Sequence, residues 1–159
     1  MSMRPRAGKP YESEVNYWLL ATDPAEYSFE DLERDAGTVW NGVTDYQALK
    51  NLRDVDQGDM ALVLHQGDEP ALVGIVRVVS DTYPDPDQGD STIYVMDVEP
   101  VERLDNPIPL SALLDDPEFQ DWELVANPEL DVAEIPAPLW NRLVELSRQG
   151  LAQVVPDRV

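Results

Sequence analysis

The sequence of 159 residues contains no cysteine and a single histidine, His65. Without cysteine the chain can form no disulfide, no thiolate metal site and no cysteine nucleophile. One histidine excludes zinc sites built on a histidine pair and argues against a Ser-His-Asp triad. No apolar run approaches the roughly 18 residues of a membrane-spanning helix, and the first residues lack the apolar core of a signal peptide. We therefore expect a cytoplasmic protein.

Lysine is scarce as well, with 2 residues against 9 arginines, whereas the chain has 19 aspartates and 13 glutamates. The formal net charge is −21, and the acidic residues are spread along the whole chain. Repulsion between these charges weakens a compact state at low salt and is screened at molar ionic strength. We interpret the composition as adaptation to a high-salt cytoplasm; the alternative is an ordinary acidic protein with basic partners. Under the first interpretation, the net charge no longer excludes nucleic-acid binding, and only the residues of a local site can indicate whether the protein binds nucleic acid.

The length fits one domain, and the hydrophobic content of 43% is that of a globular chain. The polar residues 1–15 are predicted to form a flexible N-terminal segment. The domain is expected over 16–150, followed by a C-terminal tail over 151–159. The chain has no internal repeats.

Periodicity and capping signals predict short alternating elements. Ser28 ahead of Asp31 resembles a helix start, and Thr44 with Gln47 has the pattern of a capping box. The predicted strands are 16–20, 60–66, 71–79, 92–99, 122–126 and 130–135, and residues 80–91 form a loop. The predicted helices are 29–35, 44–53, 111–114 and a final helix that begins near Pro138 and closes at Gly150. These elements indicate an α+β domain with a mixed, barrel-like sheet of about six strands and short flanking helices.

The densest group of chemically informative residues lies in the segment 38–53. Trp40, Asn41 and Gly42 are adjacent, and Tyr46 and Gln47 follow on the first turn of the predicted helix. Amide side chains match the paired donors and acceptors of base edges, while aromatic rings offer stacking faces. The composition is therefore that of a pocket for a planar heterocycle. The alternative is that both aromatic residues belong to the core and that the Asn-Gly pair is a turn.

Two further candidates favour structural roles. His65 follows an apolar strand, where a lone histidine is usually a hydrogen-bonded structural residue. Asp85, Asp87 and Asp90 offer the hard oxygen ligands that Ca²⁺ prefers, but their spacing is not that of an EF-hand loop. We expect neither a metal nor a cofactor.

Six segments resemble the EVE domain, a PUA-like family, and they occur in the same order as in that family. The family pattern includes a tryptophan-containing first strand, a Y-S-x-x-D-L helix, a W-[DN]-G-V-R-N-Y-Q-A-R block and a Y-P-D-P loop. The corresponding segments here are NYWLLATDPAEYSFEDL (16–32), VWNGVTDYQA (39–48), GDMALVLHQ (58–66), VGIVRVV (73–79), TYPDP (82–86) and YVMDVEPVERL (94–104). The resemblance covers residues 16–147.

The resemblance implies a PUA-like β-barrel that reads modified bases, notably modified cytosines, in DNA or RNA. The implied pocket is lined by Thr22, Trp40, Asn41, Gly42, Val43, Tyr46, Gln47 and His65. Trp40 would stack on a flipped base, and Asn41, Thr22 and backbone amides would read its polar edge. The implied partner is a modified nucleic acid or nucleoside, and we expect a non-catalytic monomer that binds no membrane.

The sequence departs from the family where basic side chains are usual. Uncharged or acidic residues occupy these positions, at Ala21, Thr44, Leu49 and 129–131. Either salt adaptation removed the charges or the ligand is a free nucleoside or another small molecule, and both alternatives stay open. Arg53 and Arg77 are the remaining cationic candidates, and each could equally be a surface ion-pair partner. Binding should therefore depend only weakly on salt.

Two other functions are compatible with the resemblance. Related ASCH domains include amidohydrolases that act on acylated cytidine with lysine, threonine and glutamate. Thr22 could serve there, but the lysine position is Ala21, and the chain's lysines are Lys9 and Lys50. A threonine nucleophile without a nearby base is hard to activate. The third possibility is a protein-interaction adaptor with a vestigial pocket.

Overall fold

The computed structural model describes residues 15–87, 89 and 92–149. The predicted tail and all but the last residue of the predicted flexible segment lie outside these residues, as does Gly150. The described strands are β1 (Tyr17–Thr22), β2 (Thr38–Trp40), β3 (Met60–His65), β4 (Ala71–Val78), β5 (Tyr83–Pro84), β6 (Tyr94–Pro109) and β7 (Val132–Glu134). The described α-helices are α1 (Phe29–Asp35), α2 (Tyr46–Leu52), α3 (Leu110–Leu114), α4 (Glu123–Ala126) and α5 (Ala137–Gln149), with a 3₁₀ helix at Pro117–Phe119.

The strands form one curled, mixed sheet in the order β2-β6-β4-β3-β1-β7, and β5 pairs with the start of β6. β1 and β3 run parallel, whereas the other pairs are antiparallel. Residues 66–70 join β3 to β4 in an antiparallel hairpin. The structure confirms the predicted α+β fold of PUA-like type, with short flanking helices and a mixed, barrel-like sheet that is curled into a half-barrel.

Both faces of the sheet are covered, which explains the unbroken apolar runs of its central strands. On β1, Trp18 and Leu20 belong to one core cluster, whereas Leu19 and Ala21 belong to the other. α1 and α2 pack on the first face, and α3, α4, α5 and the 3₁₀ helix contribute to the second. Trp140 of α5 is buried there and stacks on Tyr17 with ring centroids 4.4 Å apart.

The helix starts near the site follow from side-chain capping. Ser28 begins α1 as predicted, and it also forms a capping box, because its hydroxyl accepts from the Asp31 N–H and the Asp31 carboxylate accepts from the Ser28 N–H. The predicted capping box at Thr44 is wrong: Asp45 caps α2 by accepting from the Ala48 N–H at 3.1 Å. A carboxylate one residue later satisfies the same orphan donors and also favours the positive helix end.

Three other predictions need correction. Residues 123–126 form α4 and not a strand, because an apolar run this short does not distinguish the two by periodicity. The predicted loop contains the short strand β5. β6 continues ten residues beyond Glu99, through three prolines. Beyond Glu99 its only paired neighbour among the described strands is β4, and such an edge tolerates prolines.

Two negative findings concern the described residues. None of the helices there is long and apolar enough to cross a membrane. No group of three or more carboxylate or histidine side chains there could hold a metal ion. Asp85 is buried and accepts from the Asp87 N–H at 2.9 Å, which is a local turn contact, and Asp90 lies outside the described residues.

Candidate functional site

A cavity of about 360 Å³ opens where β1 ends, beside the segment that leads into α1 and beside edge strand β2. Its volume is at the lower end of the roughly 300–1,000 Å³ typical of small-molecule pockets. Most of the lining side chains are polar or aromatic. The lining residues are Ala21, Thr22, Glu26, Tyr27, Thr38, Val39, Trp40 and Asn41.

Hydrogen bonds hold the wall of this cavity between β1 and α1. The Thr22 hydroxyl donates to the Tyr27 carbonyl at 2.9 Å, and the Tyr27 hydroxyl donates to Asp35 at 2.8 Å. Burial, together with the Asp35 carboxylate, raises the pKa of Tyr27, so its hydroxyl stays protonated at neutral pH. The exposed Glu26 carboxylate makes no hydrogen bond or ion pair with the described residues. This carboxylate is therefore available as an acceptor for a ligand.

Three of the eight residues predicted for the pocket line this cavity: Thr22, Trp40 and Asn41. Only 5% of the Trp40 surface is exposed to solvent, and this residue also belongs to the core cluster around α1 and α2. Asn41, in contrast, is exposed. Gly42 and Val43 follow in the turn that leads to α2. Gly42 has a φ of +87°, a conformation that favours glycine, and Val43 is buried.

The other three predicted residues lie away from the cavity wall. Tyr46 is 82% exposed on α2 and lines a second depression. The Gln47 amide lies within hydrogen-bonding distance of Asn51 at 3.3 Å and of Glu123 at 3.5 Å, so it joins α2 to α4. These contacts give Gln47 a structural role.

His65 at the end of β3 positions the start of α1. Its Nε2 accepts from the Phe29 N–H at 2.9 Å, which places the imidazole proton on Nδ1. Burial, with the Arg103 charge as a second cause, lowers the pKa of His65. The Phe29 ring packs directly over Gly74 of β4, where a Cβ would lie 2.4 Å from the ring carbons. His65 and Gly74 thus fix the segment whose preceding residues line the cavity.

The second depression, which we call the α2 groove, has a volume of about 570 Å³. It lies between α2 and the residues before β6, and its described lining residues are Thr44, Tyr46, Leu49, Lys50, Arg53, Thr92 and Ile93. The Arg53 guanidinium lies over the Tyr94 ring, 5.3 Å from its centroid. In contrast to the cavity, this groove has basic side chains and, among its described lining residues, no acidic one.

The positions that depart from the family pattern fall on these surfaces. Ala21 lines the cavity, and Thr44 and Leu49 line the α2 groove. The Asp131 carboxylate accepts from the Gln66 amide at 3.0 Å, and burial raises the pKa of Asp131. Of the two cations left as candidates, Arg77 pairs with Glu99 at 3.1 Å, which leaves Arg53.

Sequence reasoning missed part of the cavity wall. Glu26, Tyr27, Thr38 and Val39 line it but were not predicted as site residues. Tyr27 lies in the segment that matches the family's Y-S-x-x-D-L pattern, and Thr38 and Val39 directly precede the Trp-Asn-Gly motif. Proximity to those motifs was the available signal; the approach of β2 to the end of β1 is a tertiary feature.

A family model of the EVE domain matches residues 16–146, most of the chain. The chain therefore belongs to the EVE domain family. It is 38% identical to thymocyte nuclear protein 1 of Gallus gallus over 93 residues, which is 50% of this chain and 38% of that protein. The chain spans less than half the length of this relative.

Solved structures share the fold. A protein from Agrobacterium tumefaciens superposes with a TM-score of 0.79 at 27% identity, covering 84% of this chain and 93% of that one. Human THYN1, solved with DNA containing 5-methylcytosine, has a TM-score of 0.76 at 22% identity, covering 84% and 98%. A YTH domain from Zygosaccharomyces rouxii, solved with N6-methyladenosine RNA, has a TM-score of 0.57 at 17% identity, covering 85% and 88%.

Proposed function

We propose that this EVE domain is a non-catalytic binding module that captures a modified nucleobase, with a modified cytosine in DNA or RNA as the favoured ligand. The observation that carries the proposal is the cavity of about 360 Å³ at the Trp-Asn-Gly motif. Its wall combines two aromatic rings, an amide, hydroxyls and one carboxylate, which are the groups that recognise a planar heterocycle. The modified nucleic acids bound by human THYN1 and the yeast YTH domain support a ligand of the same class.

The cavity chemistry favours cytosine among the bases. The Glu26 carboxylate can accept a hydrogen bond from the exocyclic amino group of cytosine, as acidic side chains do in base recognition. Thymine presents a carbonyl oxygen at the same position, which the carboxylate would repel. Asn41 can donate and accept at the remaining polar edge, and Trp40 would contact the face of the base. A base inside a duplex must leave its stack to reach these groups.

The site offers little support for the amidohydrolase alternative. Ala21 occupies the cavity position where the family usually has lysine, and Lys50 lies in the α2 groove. Lys9 lies outside the described residues. The Thr22 hydroxyl donates its proton to the Tyr27 carbonyl, which is an acceptor that cannot serve as a general base. Capture without turnover is the simpler function for this set of residues.

The proposed setting is a high-salt cytoplasm in which the protein acts as a monomer. This part of the proposal depends on the net charge of −21 and on the near absence of lysine. Stability that rises from low to molar KCl would support it, and stability that does not change with KCl would contradict it.

The test of base capture is a titration at 1 M KCl with matched oligonucleotides that carry cytosine or 5-methylcytosine at one position. Val39→Trp is the blocking variant, since Val39 lines the cavity and is 43% exposed, so a larger side chain is tolerated by the fold. Val101→Trp is the matched control, because Val101 is a β6 residue with 41% exposure that does not line the cavity.

We expect the wild type and Val101→Trp to prefer the methylated oligonucleotide and Val39→Trp to lose at least about a hundredfold in affinity, or ~2.7 kcal/mol. Full binding by Val39→Trp would contradict the proposal. If 5-methylcytosine is not preferred over cytosine, the titration is repeated with oligonucleotides that carry other modified cytosines, and the absence of a preference for any of them would contradict the proposal.

A further inference from the structure

We infer that the α2 groove binds the nucleic-acid strand next to the captured base, so that the ligand of this protein is a polynucleotide and not a free nucleoside. The inference rests on the proposed function of the cavity. It concerns a second surface, with a different charge and different residues, that the cavity proposal does not use.

The basic residues of the described region differ in whether they form ion pairs. Of the seven basic residues in the described part of the chain, four pair with carboxylates: Arg34, Arg77, Arg103 and Arg142. The other three, Lys50, Arg53 and Arg148, form no ion pair there. In a chain with 32 acidic residues, cations that form no ion pair are unexpected. Two of these three line the same groove.

The arrangement of the two cations in the groove also suits a nucleic-acid strand. Lys50 and Arg53 are three positions apart, which places them on the same side of the α2 segment. Arg53 lies over the Tyr94 ring, a contact that orients the guanidinium without neutralising its charge. Two positively charged side chains on one wall, with no described acid lining the groove, suit the negative charges of a phosphodiester backbone.

The groove also contains the exposed aromatic ring of Tyr46. It is 82% exposed at the start of α2, although rings of this size are generally covered. Leu49 and Ile93 add apolar surface beside it in the groove. An aromatic platform next to cations is the arrangement with which proteins hold unpaired nucleotides, because every base has a face that stacks.

The cavity and the groove lie a short distance apart. Asn41 lines the cavity and Thr44 lines the groove. Three peptide units separate these residues, so their Cα atoms lie at most about 11 Å apart. A strand whose base occupies the cavity would therefore pass the groove with its neighbouring nucleotides. A free nucleoside has no phosphate or adjacent base and would leave the groove empty.

The test compares the wild type with the double variant Lys50→Gln/Arg53→Gln, which removes both charges and keeps polar side chains. Arg148→Gln is the matched control, because Arg148 is the third unpaired cation and lies on α5. The ligands are a methylated single-stranded DNA oligonucleotide, the RNA oligonucleotide of the same sequence, and free 5-methyl-2′-deoxycytidine. Each affinity is measured over a series of KCl concentrations.

Two phosphate contacts predict a slope of log affinity against log salt near −1.4 for single strands. We expect the double variant to lose about tenfold in affinity for the favoured oligonucleotide, to have a slope near zero, and to bind the nucleoside as the wild type does. Arg148→Gln should match the wild type throughout. The DNA and RNA arms show which backbone the groove accepts.

The outcomes separate the two proposals. If the double variant retains the affinity and salt slope of the wild type while Val39→Trp abolishes binding, the groove inference is wrong and base capture stands. The inference is also wrong if the nucleoside binds as tightly as the oligonucleotides. If the wild type binds no ligand, both proposals fall.

The aromatic contribution has its own pair of variants. Tyr46→Ala should weaken oligonucleotide binding by about tenfold without changing the salt slope, since stacking carries no charge, whereas Tyr46→Phe keeps the platform and should match the wild type. Equal affinity for Tyr46→Ala and the wild type would remove Tyr46 from the inferred site.

Discussion

The cavity and the α2 groove are separated by the two residues Gly42 and Val43, yet their chemistry differs. The cavity wall includes the Glu26 carboxylate and several hydroxyls, whereas the groove has two unpaired cations and an exposed ring. The contrast is the basis of the proposed division of binding, in which the cavity would distinguish the base and the groove would hold the strand that carries it. Nucleic-acid recognition commonly has this division, because backbone contacts position a ligand and base contacts specify it.

The contrast also changes the meaning of the net charge of −21. A uniformly acidic surface would repel nucleic acid, but the positive side chains of the described region are not uniformly neutralised. Under the two proposals, phosphate binding is limited to one small area, and stacking and hydrogen bonds supply most of the recognition. The expected salt dependence is weaker than that of proteins that contact 6–10 phosphates or so.

The largest effect is expected from a change at the start of α1, beside the cavity. Gly74→Ala places a Cβ against the buried Phe29 ring at the start of α1, so the ring or the helix must shift. Overpacking of this kind costs about 1–3 kcal/mol in the free energy of unfolding, measured by denaturant titration. Oligonucleotide affinity should fall while nucleic acid still protects α2 in hydrogen exchange. Unchanged stability would show that Phe29 moves freely.

A smaller effect is expected from Glu26→Ala. This variant removes the acceptor for the cytosine amino group and also the charge that repels thymine, so the preference for 5-methylcytosine over thymine should decrease about tenfold, or ~1.4 kcal/mol. The measurement is a competition titration with two oligonucleotides that differ at one base. Glu69→Ala in the β3–β4 hairpin is the control for loss of one exposed charge. An unchanged preference would exclude Glu26 from base discrimination.

The pH dependence of stability should distinguish the side of the cavity, where His65 holds the start of α1, from the α2 groove. The folded state lowers the pKa of His65 below its ordinary value of 6.5, so the unfolded chain binds this proton more readily. The contribution of His65 to the free energy of unfolding is fully present above pH 6.5 and decreases as the pH falls. It is lost once the pH is below the pKa of His65 in the folded state. Thermal melting between pH 5 and 8 should show this decrease in the wild type.

The matched variant for this pH series is His65→Gln, which retains an acceptor for the Phe29 N–H but does not titrate there. The variant should lack the His65 contribution, so its melting curve should change less between pH 8 and pH 5 than that of the wild type. Identical pH dependence of the two proteins would contradict the assigned role. Salt slopes reporting on the groove should not differ between them.

The smallest effect is the coupling between the two sites. Asn41→Ala and Lys50→Gln act on different parts of the ligand, so their effects on binding free energy should add to within about 0.5 kcal/mol. A double-mutant cycle with the methylated oligonucleotide measures this sum. Strong coupling would mean that the cavity and the groove hold the same group of the ligand.

Local signals predicted the elements around the site well. The helix start at Ser28 and the paired strands on either side of residues 66–70 are confirmed, because capping and turn chemistry act over a few residues. The extension of β6 to Pro109 could not be foreseen, since its pairing with β4 depends on contacts more than 20 residues apart and passes through prolines that usually end strands.

Prediction of the site itself was limited by tertiary geometry. Trp40 and Asn41 line the cavity, as the motif indicates, but Tyr46, only five residues after Asn41, lines the α2 groove instead. The irregular segment through Gly42, with its positive φ, and the start of α2 at Tyr46 lie between these two sets of lining residues. Glu26 gave no signal by itself, because a single carboxylate in an acidic chain is indistinguishable from its neighbours until β1 and β2 are brought together.

The most direct test of the division between cavity and groove is an NMR measurement on a DNA oligonucleotide whose single 5-methylcytosine carries a ¹³C-labelled methyl group. In the complex, we expect nuclear Overhauser contacts from this methyl group to side chains of the cavity wall, such as Thr22, Thr38 and Trp40. We also expect contacts from the adjacent nucleotides to Tyr46. Methyl contacts confined to the α2 groove, or a labelled base that remains stacked in its strand, would contradict the proposed division of binding.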